Sequence, residues 1–404
     1  MRITDIKAYS VAIPFTAPIQ SAFGVSYPAR LRTLIEVYTD EGIVGLGECG
    51  YSPLATFSGT PQAAQFEGPI KRLVQGDNPF DSEALRRKLR YSKEESVALE
   101  LACWDIMGKA TGLPVYRLLG GEGYRASVEC SAYCFFRAPD RQGQHAVTLD
   151  NHAEHCLAEA KKYGFRTIKC KLGVYEPDVE IAAVIRLREL AGPWYRIVLD
   201  PNGSWSLARA LYVAKRLEDY NILYYEDATP YDVSNYRRLQ QVTSTPLCVS
   251  CYDEAELATA LSTGTVDVVQ SDIYDSGGIR GTHAWYAAVR PFRRPTATHS
   301  GREIGFAQMA KMHVIAAQPD VVHASDAMYH QYVDDVVVGG MLPYEQGRML
   351  IPDRPGLGIE LDHAKLAQWE LTDQVHREWD QFWADTKHAL GIGPYNKDNT
   401  VRQF

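Results

Sequence analysis

Ile197-Val-Leu-Asp-Pro-Asn-Gly203 and, after a helix-patterned interval at 206–219, Ile222-Leu-Tyr-Tyr-Glu-Asp227 form the stretch that decides the fold. Each half is a short apolar run closed by an acid. Such a run reads as a parallel strand buried on both faces, and a charge at its carboxyl end cannot enter the core unpaired. The pattern recurs on both sides. Lys169 and Lys171 close Thr167-Ile-Lys-Cys-Lys171, Asp272 closes Val266-Asp-Val-Val-Gln-Ser-Asp272, and His299 follows Thr296-Ala-Thr298. The spacing of roughly 20 to 30 residues suits one strand and one helix per repeat. In a barrel of parallel strands these carboxyl ends converge on one face, where active sites are built.

Working outward, strands are expected near 127–136, 166–171, 196–200, 222–226, 246–250, 266–271, 295–299 and 321–325, with helices between them, as at 151–163, 206–219 and 254–261. Eight strands alternating with helices predict an α/β chain with a (β/α) barrel over 126–345. An open dinucleotide-binding sheet would show a glycine-rich fingerprint after its first strand, and none is present. Residues 1–125 read as a separate α+β domain. It has strands at 3–13 and 30–48, the second a hairpin turning at Asp40-Glu41-Gly42, then a helical pattern from 60 to 120 that is clearest at 95–110. The C-terminal segment, 346–404, starts with loops rich in Pro and Gly, continues in a short helix near 372–388, and is expected to fold back onto the N-terminal domain.

Composition narrows the class. The 404 residues are 46% hydrophobic and 23% charged, which is the balance of a soluble globular chain of two domains. No apolar run approaches the roughly 18 residues a membrane helix needs. The net charge of −8 comes without a basic block, so nucleic acid is not an expected partner, whereas a small anionic substrate is compatible with local charge. Met1-Arg-Ile-Thr-Asp-Ile-Lys7 alternates polar and apolar residues and reads as a first strand, not a leader. The eight cysteines are scattered, and Cys248-x-x-Cys251 has no second pair for zinc; they read as small buried hydrophobes of a cytoplasmic protein.

The strand-end residues carry the chemistry. Asp200 and Glu226 lie one repeat apart, and two such carboxylates repel unless a cation lies between them. Hard oxygen ligands suit Mg²⁺. The competing reading pairs one acid with a nearby Lys or Arg. A further ligand is expected near Pro246-Leu-Cys-Val-Ser-Cys251, yet Ser250 is a weak ligand, Cys251 is too soft, and Asp253 or Glu254 requires the loop to bend inward. Lys169 and Lys171 share one side of their strand. Crowded beside a cation, each is expected to lower the other's pKa, so that one can serve as a general base; the alternative is a solvated pair on an edge strand. Asp272 and His299, on consecutive strands, can form a dyad in which the carboxylate fixes the imidazole tautomer. Asn202 and Asp326 are candidates for hydrogen bonds to substrate.

This set resembles the enolase superfamily, in its mandelate racemase and glucarate dehydratase-like branch. The residues that carry the resemblance are Lys169-Cys-Lys171, Asp200-Pro-Asn-Gly203, Glu226-Asp227, Asp272 with Gly277-Gly278, His299-Ser300, Gly45-Leu-Gly-Glu48 and Pro352-Asp-Arg-Pro-Gly-Leu-Gly-Ile-Glu-Leu361. It implies a capping domain, built from the N-terminal part and the C-terminal segment, over a modified TIM barrel, (β/α)₇β. It also implies Mg²⁺-assisted removal of the proton α to a carboxylate. Asp200 and Glu226 become metal ligands, Lys171 the base on one face with Lys169 its electrostatic partner, and Asp272–His299 the acid/base on the other. Dehydration of an acid sugar to a 2-keto-3-deoxy acid is the expected outcome. The alternatives are racemisation or epimerisation of a 2-hydroxy or amino acid, and a ligand-binding barrel without turnover. Asp272 stands where lactonising and dipeptide-epimerising relatives keep a lysine, and Gly301 lacks the polar side chain some aldarate dehydratases use. The resemblance favours a homo-oligomer, with specificity in loops near 14–27 and 51–59.

Overall fold

The computed structural model describes residues 1–50, 62–90, 92–121 and 126–390; the specificity loop expected at 51–59 lies outside them. In the N-terminal domain Ile3–Pro14, Ala29–Thr39 and Val44–Gly50 form an antiparallel sheet with Ala29–Thr39 in the middle. The long helix Lys93–Thr111 lies directly on it, and Gly45 and Gly47 make that approach possible. A Cβ at these positions would stand 2.2 Å from the Ala102 carbonyl oxygen and 2.0 Å from that of Ala98. The helix stops at Gly112, whose φ of +72° is the left-handed conformation that closes a helix.

The barrel strands are Ser131–Cys134, Thr167–Lys171, Arg196–Asp200, Ile222–Glu226, Leu247–Ser250, Val268–Ser271 and Thr296–Thr298, joined side by side in chain order as one parallel sheet. Helices follow each strand, from His152–Tyr163 to Gly305–Ala316. The eighth strand expected at 321–325 is reduced to parallel bridges, Val321 with Thr296 and Ser325 with Cys130. These close the ring, because Ser131 N donates to Ser325 O at 3.0 Å and Asp326 N to Thr298 O at 2.9 Å. The result is the (β/α)₇β barrel.

The expected strand at 127–136 divides into three. Ser127–Glu129 pairs with Arg348–Leu350, Ser131–Cys134 enters the barrel, and Phe136–Arg137 pairs with Ile19–Ser21 of the 14–27 loop. Beyond Arg348–Leu350 the chain runs back to the N-terminal sheet: Ala12 N donates to Trp369 O at 2.9 Å and Leu371 N to Ser10 O at 2.8 Å.

Buried carboxylates fasten the cap to the barrel. Glu100 accepts from Ile279 N and Arg280 N, each at 2.9 Å, at the start of helix Gly278–Val289. Glu48 accepts from Ile304 N and Ala307 N, each at 2.9 Å, at the start of Gly305–Ala316. Both place carboxyl oxygens where a helix presents unpaired N–H groups. All eight cysteines are free and buried. Among the described residues no helix is long and apolar enough to cross a membrane.

Candidate active site

Strand register assembles the site. Lys169 lies beside Tyr133 on one neighbouring strand and Val198 on the other, while Lys171 lies beside Asp200. Alternation turns both lysines inward, where their ammonium groups sit 4.7 and 5.0 Å from the centre of the Tyr133 ring. Both are buried, so the reading of a solvated pair on an edge strand does not hold.

Lys169 is the centre of a charge cluster. Its Nζ is 2.5 Å from Glu226 Oε1 and 3.1 Å from Asp200 Oδ2, and it also binds Asp326 Oδ2. Lys171 Nζ binds Asp200 Oδ2 alone among these acids. The two lysines therefore differ, contrary to the expectation that each lowers the other. Burial acts to lower Lys169, but Asp326, Glu226 and Asp200 outweigh it and hold the ammonium well above its usual range. Burial and the neighbouring Lys169 charge bring Lys171 below the ordinary lysine value, with Asp200 opposing them. Among the carboxylates, burial pushes Asp200 up, but Lys171 and Lys169 override it and keep Asp200 low. Burial and the Asp200 charge push Glu226 well up.

In this arrangement the cation between Asp200 and Glu226 is the Lys169 ammonium, as the competing pairing has it. Glu226 Oε2 nevertheless remains buried without a hydrogen-bond partner. Two hard carboxylates, one with an orphaned oxygen, fit a Mg²⁺ ion that keeps several of its waters. Among the described residues no three His, Cys, Asp or Glu side chains form a closed metal cage. The third-ligand candidates divide on geometry. Ser250 Oγ donates to Asp227 Oδ2 at 2.7 Å and accepts from Gln270 Nε2 at 3.0 Å. Cys251 is packed in the core. Asp253 is exposed and caps helix Glu254–Thr263 through Ala255 N and Glu256 N, each at 2.8 Å, because an aspartate before a helix satisfies its first N–H groups.

His299 and Asp272 meet as expected, with His299 Nδ1 3.0 Å from Asp272 Oδ2. The other carboxylate oxygen accepts from Tyr274 N at 2.8 Å and Asp275 N at 2.7 Å. Burial raises the Asp272 pKa, but the imidazole and these N–H groups bring it below the ordinary value. The imidazole is 17% exposed, so Nε2 can reach a substrate. Gly301 follows from the same packing: a Cβ there would lie 2.5 Å from Tyr274 Cδ2 and 3.1 Å from Asp272 Oδ2. No polar side chain fits at 301 while the dyad is in place.

Of the two remaining candidates, Asn202 takes a φ of +54° and donates its N–H to Asp200 Oδ1 at 2.9 Å. Asp326 is committed to Lys169 and to Ser131 Oγ at 3.2 Å. Three features of the site escaped the sequence reading. Tyr133 floors both ammonium groups, and only its inward register two residues from Ser131 could have signalled it. Asp227, adjacent to Glu226, anchors Ser250. Arg32 of the cap donates to the carbonyls of Gly301 and Arg302 at 2.7 and 2.5 Å and pairs with Glu48 at 3.1 Å, tying the loop after His299 to the capping sheet.

Residues 3–120 match the mandelate racemase / muconate lactonizing enzyme N-terminal domain, and residues 151–365 match the enolase C-terminal domain-like family. A probable glucarate dehydratase of Streptomyces coelicolor is 34% identical over 394 residues, covering 90% of this chain and 88% of that protein. A hydrophobic dipeptide epimerase of Enterococcus faecalis is 29% identical over 69% of this chain and 77% of its own length. An enolase of Pseudomonas fluorescens Pf0-1, crystallised with magnesium, potassium and tartrate, superposes with a TM-score of 0.84 at 27% identity over 98% of each chain.

Proposed function

The chain belongs to the enolase superfamily, in its mandelate racemase / muconate lactonizing enzyme branch, and from that premise we propose that it dehydrates an acid sugar to a 2-keto-3-deoxy acid. The observation that carries this reading is a lysine of lowered pKa closing the second barrel strand, with the His299 imidazole after the seventh strand held by the Asp272 carboxylate after the sixth. The second strand lies across the ring from the sixth and seventh, so a substrate between them meets base and acid on different faces.

A proton α to a carboxylate is very weakly acidic, so its removal needs the developing charge to be stabilised. Asp200 and Glu226 would hold Mg²⁺, which supplies that stabilisation as a Lewis acid when bound. Lys171, the less basic of the two lysines, takes the proton from C2. Lys169, kept protonated by three carboxylates, stays a fixed positive charge beside the substrate carboxylate. His299 gives its Nε2 proton to the hydroxyl at C3; the C3–O bond breaks and water leaves. The resulting enol takes a solvent proton at C3 to become the ketone, so atoms balance as acid sugar to keto acid plus water. Asn202 and Asp326 are assigned to orienting substrate, the second through Lys169. Assay of mono- and diacid sugars with added Mg²⁺ for 2-keto product tests the proposal; failure with every acid removes it.

Epimerisation is the second reading, supported by the likeness to the Enterococcus faecalis dipeptide epimerase, while Asp272, where dipeptide-epimerising relatives keep a lysine, argues against a dipeptide substrate. The same base and acid would then pass a proton across one carbon without loss of water. A barrel that binds without turnover is supported only by the incomplete ligand set, and calorimetric titration with Mg²⁺ decides it: no binding favours that reading.

A further inference from the structure

A cavity of about 600 Å³ opens on the barrel flank between helix His152–Tyr163 and the chain from 330 to 344. None of the strand-end residues of the candidate active site lines it. One wall is apolar, formed by Val147, Val333, Met341, Leu342 and Pro343. The other carries hydrogen-bond donors left without partners. Arg137 is 5% exposed; its Nη2 donates to Gln331 Oε1, but its Nε has no partner. His155 Nε2 and the Tyr344 hydroxyl are likewise buried and unpaired. Unpaired buried donors of this kind are uncommon in folded proteins and mark a place where an acceptor belongs.

The local charge favours an anion. Arg137 and Lys162 are positive, Glu159 is the facing acid, and burial drives His155 and His330 down to about 3, so both rings are neutral near neutral pH. His330 is satisfied internally, with Nδ1 2.9 Å from Ala327 O and Nε2 2.6 Å from Gln331 Nε2. The free donors are thus a guanidinium N–H, an imidazole nitrogen and a phenol opposite an apolar wall. We infer that this cavity is a second ligand site, taking a small organic carboxylate with an apolar body whose oxygens accept from Arg137, His155 and Tyr344.

Phenylacetate serves as the probe, titrated by calorimetry into the Mg²⁺-loaded protein. One-to-one binding is expected, unchanged in Glu226→Gln, whose active site has lost a metal ligand. Arg137→Gln should weaken it at least about tenfold, since a charged donor is removed from a buried site. Tyr344→Phe, which keeps the ring and so guards against a folding failure at Arg137, should weaken it severalfold. Phenethylamine, of similar shape and opposite charge, should not bind. A crystal soaked with phenylacetate should show its carboxylate within hydrogen-bond reach of Arg137 Nε. Absence of binding, loss of binding in Glu226→Gln, equal binding of the amine, or density only beside His299 each overturns the assignment.

Discussion

Asp272→Asn separates the two halves of the proposed chemistry. In the structure Asp272 accepts from His299 Nδ1 at 3.0 Å and from two backbone N–H groups at 2.8 and 2.7 Å. Asparagine is nearly isosteric, and its carbonyl oxygen can keep the two backbone bonds. Its NH₂ then faces His299, so Nδ1 must become an acceptor and the negative charge beside the imidazolium is gone. A charge-assisted hydrogen bond contributes about 1.5 to 3 kcal/mol, which corresponds to roughly a 10- to 150-fold loss in proton donation to the leaving hydroxyl. Lys171 is held by Asp200 and touches neither dyad residue, so exchange of the α-proton should fall less than about threefold, as distant sites are nearly independent. The assay follows 2-keto product and loss of the α-proton signal side by side in D₂O by NMR. Equal losses in both would refute separate roles for the lysine and the dyad, and full retention of dehydration would refute the dyad itself.

Other perturbations follow from the same geometry. His299→Asn should abolish dehydration while leaving exchange driven by Lys171; survival of both activities would remove His299 from the reaction. Gly301→Ala puts a methyl 2.5 Å from the Tyr274 ring, and overpacking of this kind costs roughly 1 to 3 kcal/mol; denaturant unfolding should show that loss together with reduced dehydration. Mg²⁺ should raise the melting temperature of the parent protein, and Glu226→Gln, which replaces the carboxylate whose Oε2 is unpaired, should remove that rise. His313 is buried between Tyr116 N and Leu357 O, and burial lowers its pKa to about 4. With the folded value below the unfolded one, stability is full above about pH 6.5 and falls as pH drops toward 4, by about 3 kcal/mol for this group. His313→Gln should flatten that part of the melting profile, and an unchanged slope would count against it.

The barrel was legible because its strands carry the signal twice, as apolar runs and as charges that end them. Lys169, Lys171, Asp200, Glu226, Asp272 and His299 all reach one region because parallel strands share a carboxyl face. What periodicity misses is pairing across the ring. That Lys169 holds Asp326 and Glu226 while Lys171 holds only Asp200 depends on inter-strand register, and this asymmetry is what gives the two ammonium groups opposite pKa shifts. The eighth strand was expected at 321–325 because the run from Val321 to Ser325 passes from apolar to polar, but its reduction was not legible: Val321 and Ser325 each make only a single bridge to a neighbour. Gly301 looked like a missing polar group; the space around it shows that the dyad leaves no room for one.

Running the Mg²⁺-loaded protein with each acid sugar in D₂O and locating deuterium in the product distinguishes dehydration from epimerisation. A 2-keto-3-deoxy acid carrying one solvent deuteron at C3, formed by the parent protein and absent with Lys171→Met, is the predicted result. Deuterium at C2 of an otherwise intact acid, with inverted configuration and no water lost, would contradict it.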